Sequence, residues 1–570
     1  MKNLFYSILV FTLILNTGCQ NQPQHTYIPD ETGPTGDSAM IATAHPLATE
    51  AGLEILRKGG NAFDAGIAVH FVLAVVFPEA GNIGGGGFAV LREANGGIAS
   101  LDFREKAPGV AHRDMYLDEN GEVMKMTSRI GHKATGVPGS VAGMWELHQK
   151  YGNLSWEDLL KPAIKLAYYG YTVSRYSANN LNEKQEDFLE ANRYTPWTVK
   201  EEGWQKGDSI VQKELAATLT QIQNKGRDGF YKGIVADQIA KEMQLGKGYI
   251  TRADLEGYEA VWRNPLTYSY KGHRIISMPP PSSGGVALIQ LLQGADEFDM
   301  GKRGHNTPES IHIMTELERR VYADRATYLG DPDYYDVPVE LLLSEEYNKD
   351  RYRSISLKKK TPSSEIKEGE VEIIESVQTT HYSIVDPEGN ALSVTTTINS
   401  FYGCKVMVKG AGFFLNNEMN DFSSKPGVPN QFGLVGGEAN AIAPEKRMLS
   451  SMTPTILEKG DQLFMVVGTP GGATIITQIF QVIMNVVDHG MTMQDAVNAG
   501  RTHHQWLPDE ILVETRTLDP VDSLELVELG HKIKNRGSWG RVDAVLVKND
   551  STLEGAADYT RGADDYTNGF

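Results

Sequence analysis

The segment "VQTTHYSIVDPEGNALSVTTTIN", residues 377–399, constrains the fold more than any other part of the chain. Its centre, "DPEGN", is typical of a three-residue hairpin loop, with proline at the first turn position and glycine at the left-handed one. If Asp386 and Asn390 close this loop, Thr379 lies directly opposite Thr397, and two hydroxyls at such a pair can hydrogen-bond each other. The segment therefore predicts a β-hairpin with two threonines facing one another.

The stretch before this hairpin is unlike the hairpin itself. Residues 356–378, "SLKKKTPSSEIKEGEVEIIESVQ", are rich in lysine, serine and glutamate, which predicts a mobile surface linker between two ordered halves. An N-terminal threonine can use its own α-amine as the base for its hydroxyl, provided that the chain is first cut just before it. Two interpretations remain at this point: threonines that simply favour a sheet, or a self-cleaving threonine nucleophile.

Composition limits the class of protein. The chain has 570 residues, which is longer than the chain that a single hydrophobic core usually organises. Its 41% hydrophobic and 22% charged residues are ordinary for a soluble globular protein. The formal net charge of -19 argues against nucleic acid or anionic lipid as the main partner.

The N-terminus predicts export. An apolar run over residues 4–15 follows Lys2; it is too short to span a bilayer but suits a secretory signal. The Thr-Gly-Cys sequence ending at Cys19 resembles a bacterial lipoprotein signal, although asparagine stands where such signals prefer leucine. We expect a signal over 1–18, a polar spacer over 19–38, and a periplasmic or cell-envelope protein anchored by lipid at Cys19. The alternative is a plain signal peptide with an incidental cysteine.

Hydrophobic patterns predict alternating helices and strands. Two helices are expected between residues 45 and 77, the second capped by Asn61 and buried all round, with His70 as a core histidine. Two short strands should flank the turn at 95–97. Residues 140–350 are expected to be a mostly helical scaffold. After the hairpin, strands alternate with helical stretches at about 473–488 and 492–500.

Two further motifs are assigned to structure rather than chemistry. "IGGGGF", residues 83–88, lacks the lysine or the glycine spacing of nucleotide-binding loops, so it predicts close backbone packing. "HHQWLPDE", residues 503–510, begins with adjacent histidines, which point apart on a strand or turn. The sequence contains no C-x-x-C or H-E-x-x-H pattern, so we expect no metal site. If Cys19 carries lipid, Cys404 has no cysteine with which to form an intramolecular disulfide.

Several segments together resemble the γ-glutamyltranspeptidase family. "TTHYSIVDPEGNALSVTTTIN", "LNNEMNDFSSKPGVPN", "KRMLSSMTPTI" and "GTPGGATIITQ" are similar to its small subunit, and "GGNAFDAGIAVHFVLAVVFPEAGNIGGGGFAVL" and "LDFREKAP" to its large subunit. The resemblance runs from about residue 39 to near the C-terminus. It implies the α+β, four-layer αββα sandwich of N-terminal nucleophile hydrolases. It also implies a precursor that cuts itself between Gln378 and Thr379 into a heterodimer of a large (39–378) and a small catalytic (379–570) subunit.

The resemblance also implies the site residues. Thr379 becomes nucleophile and base, Thr397 matches the family's second threonine, and Gly471 and Gly472 supply an oxyanion hole. The remaining contacts divide between the α-carboxylate of a γ-glutamyl group (Arg104, Ser450, Ser451) and its α-ammonium (Asn399, Glu418, Asp421). Without the resemblance, Arg104 would be interpreted as a surface ion pair with its acidic neighbours, and the serines and glycines as loop or turn residues.

One residue departs from the family pattern. Residues 426–437, "PGVPNQFGLVGG", match a lid loop, but Phe432 stands where many bacterial members have tyrosine, so the hydroxyl that latches the lid is missing. The expected activity is transfer or hydrolysis of γ-glutamyl groups from glutathione and similar compounds, with water, amino acids or peptides as acceptors and no cofactor. The alternatives are a cephalosporin or glutaryl acylase, and a catalytically inactive envelope protein that binds γ-glutamyl peptides.

Overall fold

Two seven-stranded antiparallel sheets form the centre of the molecule in a computed structural model, which describes residues 31–366, 379–515 and 517–570. Strands are numbered in chain order. The first sheet has the spatial order β1 (Thr35–Gly36), β18 (Leu553–Ala557), β17 (Asp543–Val547), β13 (Gln462–Gly468), β12 (Thr455–Lys459), β9 (His273–Ser277), β8 (Leu266–Tyr270). The second has the order β19 (Tyr566–Gly569), β2 (Met40–Thr43), β10 (Thr380–Val385), β11 (Ala391–Thr397), β3 (Gly86–Arg92), β4 (Ile98–Asp102), β7 (Val261–Arg263).

Both sheets combine strands from the two sides of the predicted cleavage site. In the second sheet, β10 pairs with β2 on one side and with β11 on the other, and β11 in turn pairs with β3. Two small sheets complete the strand set: β14 (Thr502–His503), β15 (Ile511–Glu514) and β16 (Ile533–Arg536) in one, β5 (Tyr171–Thr172) and β6 (Ser209–Ile210) in the other.

Helices cover the outer face of each sheet. The second sheet is covered by α1 (Pro46–Arg57) and α2 (Ala62–Val76), and around them lie α3 (Ser140–Tyr151), α4 (Trp156–Tyr169), α5 (Arg175–Glu183), α6 (Gln185–Ala191), α7 (Lys213–Lys225), α8 (Asp228–Tyr231), α9 (Gly233–Gly246) and α10 (Arg252–Glu256). On the side of the first sheet lie α11 (Gly284–Glu297), α12 (Pro308–Tyr328), α13 (Val339–Leu343), α14 (Glu345–Tyr352), α15 (Ile475–Val487), α16 (Met493–Asn498) and α17 (Pro520–Glu528).

The inner faces of the two sheets pack against each other. Ser383 Oγ of β10 donates to the Asp543 carbonyl at 2.9 Å, and Ser393 Oγ of β11 donates to the Val467 carbonyl at 3.1 Å, both from one sheet to the other. With helices on both outer faces, the molecule is a four-layer αββα sandwich. The predicted fold class is confirmed.

The helix pair near the N-terminus forms as predicted. Asn61 caps α2 by accepting from the Phe63 and Asp64 N–H groups, and Asp64 accepts from the Asn61 N–H in return. Every residue of α2 is buried, which follows from its uniformly apolar sequence. His70 is buried against Tyr382, and burial lowers its pKa to about 4, so it is a neutral core histidine.

The predicted helical scaffold also contains strands, and one late helix was not predicted. Residues 140–350 are mostly helical, but they also supply β5, β6, β7, β8 and β9, and α17 follows the two predicted late helices. β8 alternates between half-buried and exposed residues and lies at the edge of its sheet, and β7 is half-buried throughout. Short edge strands of this kind carry a weak hydrophobic signal within a helical region.

The first part of the predicted linker is packed against the protein. Ser363 is buried; its Oγ donates to the Trp506 carbonyl at 2.5 Å and its N–H to Asp509 Oδ2 at 3.1 Å. Ser363 is therefore fixed to the protein, while the mobility of the segment 356–378 as a whole stays a prediction. The rest of that segment, which ends at Gln378, lies outside the described residues, as do the predicted signal and Cys19.

The described ranges contain no helix that is both long enough and apolar enough to cross a bilayer. Within the same ranges, no group of three or more histidine, cysteine, aspartate or glutamate side chains is arranged to hold a metal ion. Cys404 is a buried free thiol.

Candidate active site

The hairpin register predicted from the turn is confirmed. Thr380 pairs with Thr396, and Thr379, just before β10, lies opposite Thr397 with the two hydroxyl oxygens 3.5 Å apart. The Thr397 hydroxyl oxygen also accepts from the Asn399 N–H at 2.7 Å, which fixes its position. Thr379 is 5% exposed.

The glycine-rich segment packs directly beside this pair. A Cβ atom at Gly85 would lie 2.0 Å from the Thr397 carbonyl oxygen, so a larger residue would displace the hairpin. Asn82 Nδ2 donates to the same carbonyl at 3.0 Å. Close backbone packing, the predicted role of residues 83–88, is what the structure shows.

One cavity is lined by most of the predicted site residues. They reach it from distant parts of the chain: the end of β4, the hairpin, the loops after it and the turn before α15. The predicted residues that line it are Arg104, Thr379, Thr397, Asn399, Glu418, Asp421, Phe432, Ser450, Ser451 and Gly472, and Gly471 adjoins it.

Arg104 is a buried residue, 1% exposed, so the surface ion-pair interpretation is wrong. Its Nη1 lies 2.8 Å from Glu418 Oε2 and its Nη2 lies 2.6 Å from Asp421 Oδ2. Glu105 Oε2 lies 3.5 Å from Nη1. The guanidinium fork therefore faces the two acidic residues that are expected to bind an ammonium.

These carboxyl groups have unusual proton affinities. Burial raises the pKa of Glu418 well above its usual range, and the Arg104 charge opposes that rise. Burial also raises the pKa of Asp421, and it raises the pKa of Glu105 to about 8. Three carboxyl groups beside one guanidinium repel one another when all are ionised. The cluster therefore keeps at least one proton near neutral pH.

A second arginine, which sequence reasoning missed, lies in the same cavity. Arg325 Nη2 donates to Ser451 Oγ at 3.1 Å, and its Nε donates to Ser283 Oγ at 3.0 Å. Ser283 Oγ in turn donates to the Ser450 carbonyl at 2.6 Å, so Arg325 holds both serines of the predicted carboxylate site in place. The signal was present in α12, where charged residues occur on every face and cannot all reach solvent.

The two glycines form a tight turn before α15. Gly471 has φ 152° and Gly472 has φ 54°, values that residues other than glycine rarely adopt. Thr474 Oγ1 donates to the Gly471 carbonyl at 2.8 Å and fixes the turn. The Gly472 backbone lies at the cavity wall, where an N–H could bind an oxyanion.

Phe432 covers this turn. A Cβ atom at Gly472 would lie 3.1 Å from the Phe432 ring, which is 5% exposed. The phenylalanine thus lines the cavity beside this turn, and its role as a lid stays a prediction. Asn430 and Leu434 of the same loop also line the cavity.

The two histidines of "HHQWLPDE" are buried and point to different partners, as predicted. His503 Nδ1 lies 2.8 Å from Thr477 Oγ1, whereas His504 Nε2 lies 3.5 Å from Asp509 Oδ1. Burial lowers the pKa of His503 to about 3 and of His504 to about 4, so both rings are neutral.

Comparisons with known proteins show the family of this chain. The family model described as Gamma-glutamyltranspeptidase matches residues 48–567. The glutathione hydrolase proenzyme of Escherichia coli (strain K12) is 45% identical over 534 residues, 93% of this chain and 92% of that protein. The acylase ACY 1 proenzyme of Pseudomonas sp. (strain V22) is 34% identical over 532 residues, 92% of this chain and 92% of that protein.

Two solved structures illustrate the similarity of fold. A cephalosporin acylase from Bacillus halodurans superposes with a TM-score of 0.81 at 26% identity, covering 96% of this chain and 99% of that one. The gamma-glutamyltranspeptidase of Helicobacter pylori gives a TM-score of 0.55 at 45% identity, covering 60% of this chain and 97% of that one. The chain therefore belongs to the γ-glutamyltranspeptidase family.

Proposed function

We propose that the protein is a self-processing γ-glutamyltransferase and glutathione hydrolase whose nucleophile is Thr379. The observation that carries this proposal is the Thr379 hydroxyl, which lies 3.5 Å from that of Thr397 and in one cavity with Arg104, Glu418 and Asp421. A nucleophile, a cation for a carboxylate and acids for an ammonium are the groups that a γ-glutamyl substrate requires.

Maturation frees the catalytic amine. In the precursor, the Thr379 hydroxyl oxygen attacks the carbonyl carbon of Gln378, and the Gln378–Thr379 C–N bond breaks, which frees the α-amine of Thr379 and leaves an ester on its side chain. Water then hydrolyses this ester and releases Gln378 as a C-terminal carboxylate. The products are a large subunit that ends at Gln378 and a small subunit, 379–570, which remain associated. The Escherichia coli and Pseudomonas relatives are both named as proenzymes, which supports this step.

Turnover then proceeds through an ester. The Thr379 hydroxyl oxygen attacks the γ-carbonyl carbon of the substrate while its proton passes to the α-amine of the same residue. The N–H groups of Gly471 and Gly472 stabilise the oxyanion. The C–N bond breaks, the leaving amine takes the proton, and water or an acceptor amine attacks the ester to release glutamate or a new γ-glutamyl compound. Protein groups and water supply every step, so no cofactor is needed.

Substrate recognition uses the two ends of the cavity. The α-carboxylate binds Arg104, Ser450 and Ser451, the last of which is oriented by Arg325. The α-ammonium binds the acidic pair Glu418 and Asp421 together with Asn399, the residues that the resemblance to the family implies for this role. Glutathione and other γ-glutamyl compounds are therefore the proposed donors, and amino acids or peptides the acceptors.

The acylase alternative differs at the ammonium. A glutaryl group is a γ-glutamyl group without its α-amine, so a glutaryl acylase has no use for a buried acidic pair in its cavity. Here Glu418 and Asp421 both line the cavity, and so does Phe432 of the lid loop. A catalytically inactive binding protein is disfavoured because Thr379, Gly471 and Gly472 are all present.

Two measurements test the proposal. On denaturing electrophoresis, the purified protein should give two chains, the smaller with Thr379 as its first residue by mass spectrometry. It should hydrolyse a γ-glutamyl anilide much faster than the glutaryl anilide, which lacks only the amine. A single uncut chain would contradict self-processing, and preference for the glutaryl compound would favour the acylase.

We further propose that the protein is exported and anchored by lipid at Cys19. The apolar run over residues 4–15 and the Thr-Gly-Cys ending support this, since together they resemble a lipoprotein signal. Mass spectrometry of the mature large subunit tests it: a diacylglyceryl-modified Cys19 at the N-terminus is expected. An unmodified N-terminus at another residue would indicate a plain signal peptide.

A further inference from the structure

The lid loop, residues 426–437, contacts the segment "HHQWLPDE". Gln505 is 5% exposed, and its Nε2 donates to the backbone carbonyl of Phe432 at 3.1 Å. We propose that Gln505, oriented by His503, is a positioning residue that latches the lid over the γ-glutamyl-enzyme through this carbonyl. The inference rests on the proposed function for its kinetic consequence, but the latch itself is a property of the fold.

The hydrogen bonds around Gln505 define its orientation. Its Oε1 lies 2.9 Å from His503 Nε2, and His503 Nδ1 lies 2.8 Å from Thr477 Oγ1. The Phe432 carbonyl can only accept, so the amide nitrogen must face it and the amide oxygen must face His503. That oxygen accepts as well, so His503 carries its proton on Nε2. Nδ1 can then accept from the Thr477 hydroxyl. Thr477 Oγ1 also lies 3.0 Å from the Thr474 carbonyl oxygen, to which it can donate instead.

This chain of contacts begins on a rigid element. Thr477 belongs to α15, which follows the Gly471-Gly472 turn directly. The Phe432 ring packs on Gly472. The Phe432 carbonyl accepts from Gln505, whose side chain is oriented by His503. The lid and the oxyanion turn are therefore both fixed to the start of α15. His503 stays neutral in this arrangement because burial lowers its pKa to about 3.

The latch acts on a backbone atom, so it does not need a tyrosine at position 432. Elsewhere, the lid is tied to the segment that precedes it, where the Gln431 N–H donates to Asn420 Oδ1 at 3.0 Å. Loss of the Gln505 contact would free the side of the loop that carries the Phe432 ring. Water would then reach the ester more often, and bound substrate would escape more easily.

Gln505→Met tests the latch, because methionine has similar length and no donor. We expect the amides of a lid peptide, 428–437, to exchange hydrogen several-fold faster than in the wild type, while the core-strand peptide 462–468 is unchanged. The ratio of hydrolysis to transfer onto a dipeptide should rise several-fold, with a higher KM. Gln494→Met is the matched control, since Gln494 is also buried and donates to a backbone carbonyl, that of Ala557 at 3.2 Å, away from the lid.

Gln505→Glu provides a conditional rescue. A protonated carboxyl can donate to the Phe432 carbonyl, whereas an ionised one cannot. Lid protection in this variant should approach the wild-type level at low pH and be lost as pH rises, after correction for intrinsic exchange. Wild-type lid exchange in Gln505→Met, or equal acceleration in Gln494→Met, would overturn the proposal. Hydrogen exchange does not depend on turnover. An inactive wild-type protein would therefore contradict the proposed function, but the exchange data would still test the latch.

Discussion

The hydroxyl of Thr379 lies 3.5 Å from the hydroxyl of Thr397, whose oxygen accepts a hydrogen bond from the Asn399 N–H at 2.7 Å. Thr397 is held by the backbone after its own strand, so it provides a fixed partner for a nucleophile at the end of the neighbouring strand. This relationship underlies the first prediction.

Thr379→Ala should leave a single uncut chain, because no hydroxyl remains to attack the preceding carbonyl. The measurement is denaturing electrophoresis of the purified variant beside the wild type. Thr379→Ser is the matched control and should still be cut, since it retains the hydroxyl. A normally cut Thr379→Ala protein would rule out Thr379 as the processing nucleophile.

Arg104→Ala should weaken γ-glutamyl substrate binding by about 2–5 kcal/mol, because it removes a buried charge from its partners. Arg104→Lys keeps the charge but loses the two-pronged geometry, so an intermediate affinity is expected. The inhibition constant of a non-cleavable γ-glutamyl analogue measures this. Processing should be nearly normal in both variants, and unchanged affinity in Arg104→Ala would exclude a substrate contact.

Gly471→Ala should lower kcat about 10²- to 10³-fold, because the oxyanion turn must move. A Cβ atom at Gly471 would lie 2.4 Å from Gln478 Nε2, and φ at this position disfavours any side chain. KM should change much less than kcat if the turn acts in the transition state. Gly490→Ala is a control for strain alone, since Gly490 has φ 66° and its Cβ would meet no neighbour.

The buried acid Glu105 predicts a pH dependence of stability. Burial raises its pKa from 4.5 to about 8, so the folded protein binds a proton that the unfolded chain releases. The stability that this proton contributes is present below about pH 4.5 and is lost as pH rises through about 8. Glu105→Gln should therefore show a smaller fall in Tm than the wild type between pH 5 and about 9. Identical slopes for both proteins would contradict the assignment.

Phe432→Tyr should add one hydrogen bond to the lid, worth about 0.5–1.5 kcal/mol. Asn399 is the candidate acceptor, because it lines the same cavity as Phe432 and its side-chain oxygen can accept a hydrogen bond. Its Nδ2 donates to the Asn417 carbonyl at 3.0 Å. The lid should shift toward closure several-fold, which lowers the ratio of hydrolysis to transfer onto a dipeptide acceptor. If this ratio and the substrate affinity stay the same, the lid does not depend on that hydroxyl.

The hairpin register could be predicted from the sequence because it depends only on local turn chemistry. A proline and a glycine at fixed positions of "DPEGN" define which residues face each other, and Thr380 pairs with Thr396 accordingly. The buried helix α2 was predictable for a similar reason, since a run of apolar residues with an Asn61 cap needs no tertiary information.

The cavity could not be built in this way. Arg104, Glu418 and Ser451 lie far apart in the chain, and only the resemblance to a family placed them together. Arg325 and Gln505 were missed because each acts through a tertiary contact, to Ser451 and to the Phe432 carbonyl respectively, that no local pattern encodes. The edge strand β7 was missed because it is only three residues long and half-buried throughout, so it shows no alternation of apolar residues.

The pairing of β10 with β2 and of β11 with β3 has a consequence for the mature enzyme. A cut before Thr379 leaves each sheet built from two separate polypeptides, so the surface between them is the hydrophobic core itself. Dissociation and denaturation then become one event, and recovery after heating requires two chains to meet in solution rather than one chain to fold back. Processing would thus make denaturation of the active form hard to reverse, and its persistence would depend on how slowly it unfolds.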